Sequence, residues 1–136
     1  MAGRLTEQQR TTRVFLAGHT GLVGSAILRS LQECRYDNLL LRTRAELDLT
    51  DQAWTRTFSG EEQPQMVILV AARVGGIMAN WKHSYESIQE NLAIELNVIR
   101  EAFRTSVKRP IFLGSSCIYP RPGPSCSRRS ICPPAR

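Results

Sequence analysis

The sequence predicts an α/β fold, a doubly wound parallel sheet of about four strands with flanking helices. Three observations carry this. Short apolar runs recur along the chain: Val14-Phe15-Leu16-Ala17, Leu39-Leu40-Leu41, Met66 through Ala71, and Ile111-Phe112-Leu113. Segments with apolar residues at helical spacing separate them. The runs are apolar throughout rather than alternating, as strands covered on both faces must be.

Taken in order, the first run ends in a glycine cluster and leads into a helix in which Val23, Ala26, Ile27 and Leu31 recur on one side. After the second run, Thr50-Asp51 is a helix-start signal for a short helix through Trp54 and Phe58. The third run is the most apolar. A long helix over about 84–106 follows, with Tyr85, Ile88, Leu92, Leu96, Ile99 and Phe103 at steps of three and four. That stripe is expected to lie on the sheet. Ile94 and Val98 fall on nearly the opposite side, either as scattered surface hydrophobes or as a face that meets another helix, such as one from a partner subunit. No internal repeat is present.

The composition is that of a globular chain, with 42% hydrophobic and 22% charged residues among 136. No run approaches the roughly 18 apolar residues of a spanning helix. Met1 to Thr12 form a polar leader without the apolar stretch of a secretion signal. A cytoplasmic protein is therefore expected. The net charge of +6 is unevenly placed, because residues 121–136 hold Arg121, Arg128, Arg129 and Arg136 and no acid. The body, 13–120, is close to balanced, so the charge makes no case for nucleic acid. Cys117, Cys126 and Cys132 lack the close pairing of a zinc site, and no metal is expected.

The glycine cluster Gly18-His19-Thr20-Gly21-Leu22-Val23-Gly24 sits between the first strand and the first helix. One glycine permits the tight turn, one lets the backbone approach a pyrophosphate, and one lets helix and strand pack closely. The helix N-terminus offers unpaired N–H groups and partial positive charge to the phosphates. A plain glycine turn is the alternative, but the strand–turn–helix context favours dinucleotide binding on a partial Rossmann-like sheet. After the second strand an NAD-specific domain would place an acid on the ribose. Here Arg42-Thr43-Arg44 stands instead, which favours a 2′-phosphate and NADP(H). Glu46 argues the other way, and a surface Arg–Glu pair of little consequence is the bland alternative. Small residues end the third strand at Val70-Ala71-Ala72-Arg73, where a cofactor could lie against the backbone or a helix could simply pack. The fourth strand ends in Leu113-Gly114-Ser115-Ser116-Cys117, whose hydroxyls and thiol face the same rim or serve equally as turn caps.

Together AGHTGLVGSAI, LLLRTRAELDLTD, AARVGGIMAN, ENLAIELNVI and FLGSSCIYP, from about Arg13 to Pro120, resemble the GDP-L-fucose synthase family of extended short-chain dehydrogenases. The resemblance implies NADPH-dependent epimerisation and reduction of GDP-4-keto-6-deoxy-D-mannose. It implies that Gly18, His19, Thr20, Gly21, Leu22, Val23 and Gly24 hold the cofactor's pyrophosphate, Arg44 its 2′-phosphate, and Ala71 and Ala72 its adenosine side. Leu113 and Gly114 would complete the cofactor rim. Ser115 would bond the keto oxygen and Cys117 would move protons beside the ketone. A homodimer through the second face of the long helix is also implied. The chain departs from the family at Thr20, where many members carry arginine.

A larger departure is chemical. The family uses a Tyr-x-x-x-Lys pair, yet the residues four after the three tyrosines are Leu40, Gln89 and Gly123. No family-type substrate domain is recognisable, and 121–136 has no helical periodicity. The expectation is a catalytically incomplete fragment with a disordered or aberrant appended tail. The alternatives are a non-catalytic dinucleotide-binding or partner-binding module, or another NAD-dependent nucleotide-sugar epimerase/dehydratase.

Overall fold

A computed structural model describes residues 10–73, 75, 78 and 82–114. The elements in chain order are β1 (Val14–Ala17), α1 (Leu22–Glu33), β2 (Leu39–Leu40), α2 (Gln52–Glu62), β3 (Met66–Leu69), α3 (Ser84–Arg104) and β4 (Arg109–Phe112). The strands form one parallel sheet in the order β2-β1-β3-β4. Val14 aligns with Leu39 on one side and with Met66 on the other, and Met66 aligns in turn with Arg109.

Side chains alternate across this sheet, so each strand feeds two cores. Val14, Leu16, Met66 and Ile68 face α1, where Ile27, Leu28 and Leu31 pack on them. Val23 and Ala26, expected on the same helix face, are exposed. Phe15, Ala17, Val67 and Leu69 face the other way, against Leu47, Leu49, Phe58, Ile94 and Val98. The Phe15 and Phe58 rings meet at 4.6 Å with a 54° tilt. All eight residues of β1 and β3 are buried, which is why these runs are apolar without alternation.

Asp51 caps α2 as anticipated, its carboxylate accepting from the Ala53 and Trp54 N–H groups at 2.7 and 3.0 Å. The long helix corrects an expectation. Its inner face is Ile94, Asn97, Val98, Glu101 and Ala102. The six-residue stripe points outward, with Tyr85 72% and Phe103 90% exposed against 3% for Val98. Neither Ile94 nor Val98 is a surface or partner-facing residue; both are core. β4 lies at the sheet edge with all four residues exposed. Pro110, which has no N–H to donate, is tolerated in such an edge position.

Candidate functional site

The strand order places the functional edge. The chain moves from β1 outward to β2, then returns across β1 to β3. The order in which strands are added therefore reverses between β1 and β3, and the loops at their C-terminal ends diverge to opposite faces. Ligands of doubly wound sheets bind in the crevice this opens. Here it is an open cleft of about 560 Å³, lined by the glycine turn after β1, the Arg42–Leu49 loop after β2, Val70–Arg73 after β3, and Glu90 and Ile94 of α3.

The three glycines differ in what demands them. Gly18 has φ +90°, and a Cβ there would come within 2.7 Å of the Ala71 nitrogen. It makes the turn and lets the ends of β1 and β3 close up. Gly24 is buried in the first turn of α1, where a Cβ would overlap the Gly18 carbonyl oxygen. Gly21 is the N-cap of α1, and a Cβ there would meet nothing closer than 3.5 Å. The protein's own packing does not require glycine at 21, so the open backbone serves whatever approaches the helix end. No side chain caps α1, so its first N–H groups remain available to an anion. These features fit a pyrophosphate.

Thr20, Leu22 and Val23 line the cleft. His19 does not; it is half-buried beside the turn, and its Nδ1 has no hydrogen-bond partner. Ala71 is half-buried and Ala72 exposed, both in the cleft wall. Leu113 continues the β3–β4 pairing through its N–H to the Leu69 carbonyl at 3.2 Å. Leu113 and Gly114 lie beyond the cleft lining, one strand over. Ser115 and Cys117 fall outside the described residues, as does the segment 121–136.

The arginines after β2 have separate employment. Arg42 donates to Glu62 Oε1 at 2.8 Å and stands 5.7 Å over the Phe58 ring, which ties it to α2. Arg44 is 66% exposed at the rim, with Glu90 Oε2 at 3.4 Å and Asp48 Oδ2 at 4.0 Å. Glu46 is not its partner. That carboxylate accepts from the Thr43 backbone N–H and hydroxyl, both at 2.8 Å. These bonds, backbone first, hold its carboxyl below the ordinary carboxylate range. Glu46 thus closes its own turn.

Two site residues escaped the sequence reading. Asn91 holds Arg73 at both backbone atoms, accepting from its N–H at 2.6 Å and donating to its carbonyl at 3.1 Å. Glu90 meets the Arg73 guanidinium at 2.5 Å. Both stand one turn before Ile94 on α3, so recognising the inner face of that helix would have pointed to them.

Among known proteins, the chain is 53% identical over 115 residues to GDP-L-fucose synthase 1 of Arabidopsis thaliana, covering 85% of this chain and 36% of that one. It is 48% identical over 109 residues to the GDP-L-fucose synthase of Escherichia coli, covering 80% and 34% respectively. The chain thus spans about a third of the length of these relatives. Among solved structures, the GDP-mannoheptose C4 reductase of Campylobacter jejuni with NADP bound superposes with a TM-score of 0.81 at 38% identity, over 88% of this chain and 38% of that one. The model of the NAD dependent epimerase/dehydratase family matches residues 14–135. With its parallel sheet, glycine turn and switch-point cleft, the chain belongs to the NAD dependent epimerase/dehydratase family.

Proposed function

We propose that this chain is the cofactor-binding N-terminal part of a GDP-L-fucose synthase-type enzyme, which uses NADPH to epimerise and reduce a GDP-linked keto-sugar. The observation that carries the reading is the cleft itself: an uncapped helix end at Gly21, a glycine that packing does not demand, and Arg44 at the rim. The pyrophosphate would lie on the backbone of Gly18–Gly24, the 2′-phosphate on Arg44, and the adenosine against Ala71 and Ala72. When bound, NADPH would supply the hydride that reduces the sugar carbonyl. By family resemblance Ser115 would hydrogen-bond that carbonyl's oxygen and Cys117 would exchange protons beside it. In this reading 1–12 is a polar leader, 13–120 belongs to the dinucleotide-binding domain, and 121–136 is a basic tail.

Calorimetric titration of the purified chain tests the cofactor assignment. NADPH is expected to bind more tightly than NADH; equal affinities, or none, would overturn it. The chain alone is expected not to oxidise NADPH with GDP-4-keto-6-deoxy-D-mannose, because it contains no Tyr-x-x-x-Lys to protonate the reduced carbonyl. Measurable turnover would refute that expectation.

The same proposal includes a homodimer, through the outward stripe of α3 rather than its inner face. Tyr85, Ile88, Leu92, Leu96, Ile99 and Phe103 are all exposed along about 27 Å of helix, a length of apolar surface that monomers rarely leave uncovered. A cytoplasmic location belongs to the proposal as well. It is compatible with an exposed free thiol at Cys34, and among the described residues no helix is long and apolar enough to cross a membrane.

A further inference from the structure

Glu90 is the one carboxylate that α3 contributes to the cleft wall, and it is spent on arginines from two different loops. Its Oε1 lies 2.5 Å from Arg73 Nη1, after β3, and its Oε2 lies 3.4 Å from Arg44 Nη1, after β2. The side chain is 24% exposed, so water screens this bridge less than a fully exposed pair. The backbone of Arg73 is already fixed by Asn91 at both its N–H and its carbonyl. Glu90 is therefore not needed to place the Arg73 main chain. It acts on the two guanidinium heads. With Asp48 also 4.0 Å from Arg44 Nε, the two positive charges at this rim face two negative ones. A phosphate arriving at Arg44 meets a guanidinium whose charge is already countered.

Resting on the assignment of Arg44 to the cofactor's 2′-phosphate, we infer that Glu90 is a specificity-determining residue. Its carboxylate competes with the 2′-phosphate for Arg44 and so narrows the margin by which the cleft prefers a 2′-phosphorylated dinucleotide over one with a free 2′-hydroxyl. A 2′-phosphate brings close to two negative charges at neutral pH and can displace a single carboxylate, but it gives up part of its binding free energy in doing so. A 2′-hydroxyl brings no charge and leaves the Glu90 bridge in place. Glu90→Gln keeps the size of the side chain and removes the charge, leaving Arg44 and Arg73 to the incoming phosphate.

The test uses the adenosine halves of NADP and NAD, 2′,5′-ADP and 5′-AMP, which differ only at this position, titrated calorimetrically into the 136-residue chain and its variants. Glu90→Gln is expected to tighten 2′,5′-ADP by about three- to tenfold while 5′-AMP moves less than about twofold. In an Arg44→Gln background the same substitution should give no gain for 2′,5′-ADP. Circular dichroism confirms that each variant is folded, and Glu90→Asp, whose carboxylate sits one methylene back, serves as the second variant with an intermediate effect. Weaker binding of 2′,5′-ADP by Glu90→Gln would overturn the inference, since Glu90 would then be presenting the arginines rather than competing for them. Equal shifts for both probes, or none, would overturn it too. A wild-type chain that binds 5′-AMP as tightly as 2′,5′-ADP would overturn the cofactor assignment, and this inference with it. If neither chain binds either probe, the cofactor assignment falls, and this inference with it.

Discussion

The two faces of α3 invert what their composition suggests. The outer face carries six large apolar residues in an unbroken stripe, and the inner face carries Ile94, Val98 and Ala102 interrupted by Asn97 and Glu101. Hydropathy ranks the outer face first, yet the inner one is buried. The difference lies in the polar atoms. The Asn97 amide donates to the Leu49 and Thr50 carbonyls at 2.9 and 3.0 Å. Glu101, 2% exposed, accepts from Arg104 Nε at 2.5 Å. A polar side chain that finds hydrogen bonds within the protein can be buried as an apolar one is. An apolar stripe only announces that something covers it, not that the chain's own sheet does.

The largest expected effect separates the faces directly. Val98→Asp places an unpaired charge in the core cluster that holds Phe58 and Val67 and should cost about 3 to 5 kcal/mol of stability. Leu96→Asp, two residues away on the outer face, should stay within about 0.5 kcal/mol in denaturant unfolding of the monomer. The same Leu96→Asp should abolish self-association in sedimentation if the outer face joins two copies. Similar stability losses for both substitutions would mean that the two faces are equivalent, and the contrast between them would be broken.

The glycine turn and the strands were legible because their causes are local or one-dimensional. Gly18 needs a positive φ, Gly24 has no room for a Cβ, and both requirements show as glycines at fixed offsets after an apolar run. Val14–Ala17 and Met66–Leu69 read as buried because nothing polar interrupts them. Asp51 advertised its helix by residue type alone. What stayed hidden depends on partners far away in sequence. Asn97 bonds a loop 47 and 48 residues earlier, and Glu90 reaches Arg44 across 46. No periodicity within a helix encodes such a partner. β4 begins two residues before the apolar run Ile111-Phe112-Leu113 and stops one residue short of the run's end, for a related reason. Arg109 and Pro110 do not look like strand, but their pairing with β3 extends it.

Asn97 is the sharper probe of the inner face, since its contribution is polar. Asn97→Ala leaves the Leu49 and Thr50 carbonyls without their donor and should cost about 1 to 3 kcal/mol in chemical denaturation. Those carbonyls end the loop that carries Arg42 and Arg44, so the variant should also weaken 2′,5′-ADP binding more than 5′-AMP binding. A purely apolar inner face would predict the opposite sign, with Asn97→Leu stabilising. That result would remove the argument that hydrogen-bonded polar groups select the buried side.

The smallest effect concerns the outer side of the same loop. Asp48 Oδ1 accepts from the Thr50 hydroxyl at 2.7 Å and the Thr50 N–H at 2.9 Å. These bonds, the hydroxyl's first, hold the Asp48 carboxyl below its ordinary value of 3.8, with Arg44 adding to them and partial burial opposing. The folded chain thus releases this proton more readily than the unfolded chain. The stabilisation is fully present above about pH 4 and is lost as the pH falls through the lower, folded value. Thr50→Val removes the hydroxyl bond while the backbone bond and the Asn97 contact to the Thr50 carbonyl remain. At pH 7 it should therefore lower stability by no more than about 0.5 kcal/mol, because the group is partly exposed and keeps its backbone bond. Once the pH has fallen below the lowered, folded value, so that Asp48 is protonated in both states, the difference between variant and parent should close. A gap of the same size at both pH values would mean that the Thr50 side chain acts through packing, and that this exposed rim is held as the inner face is.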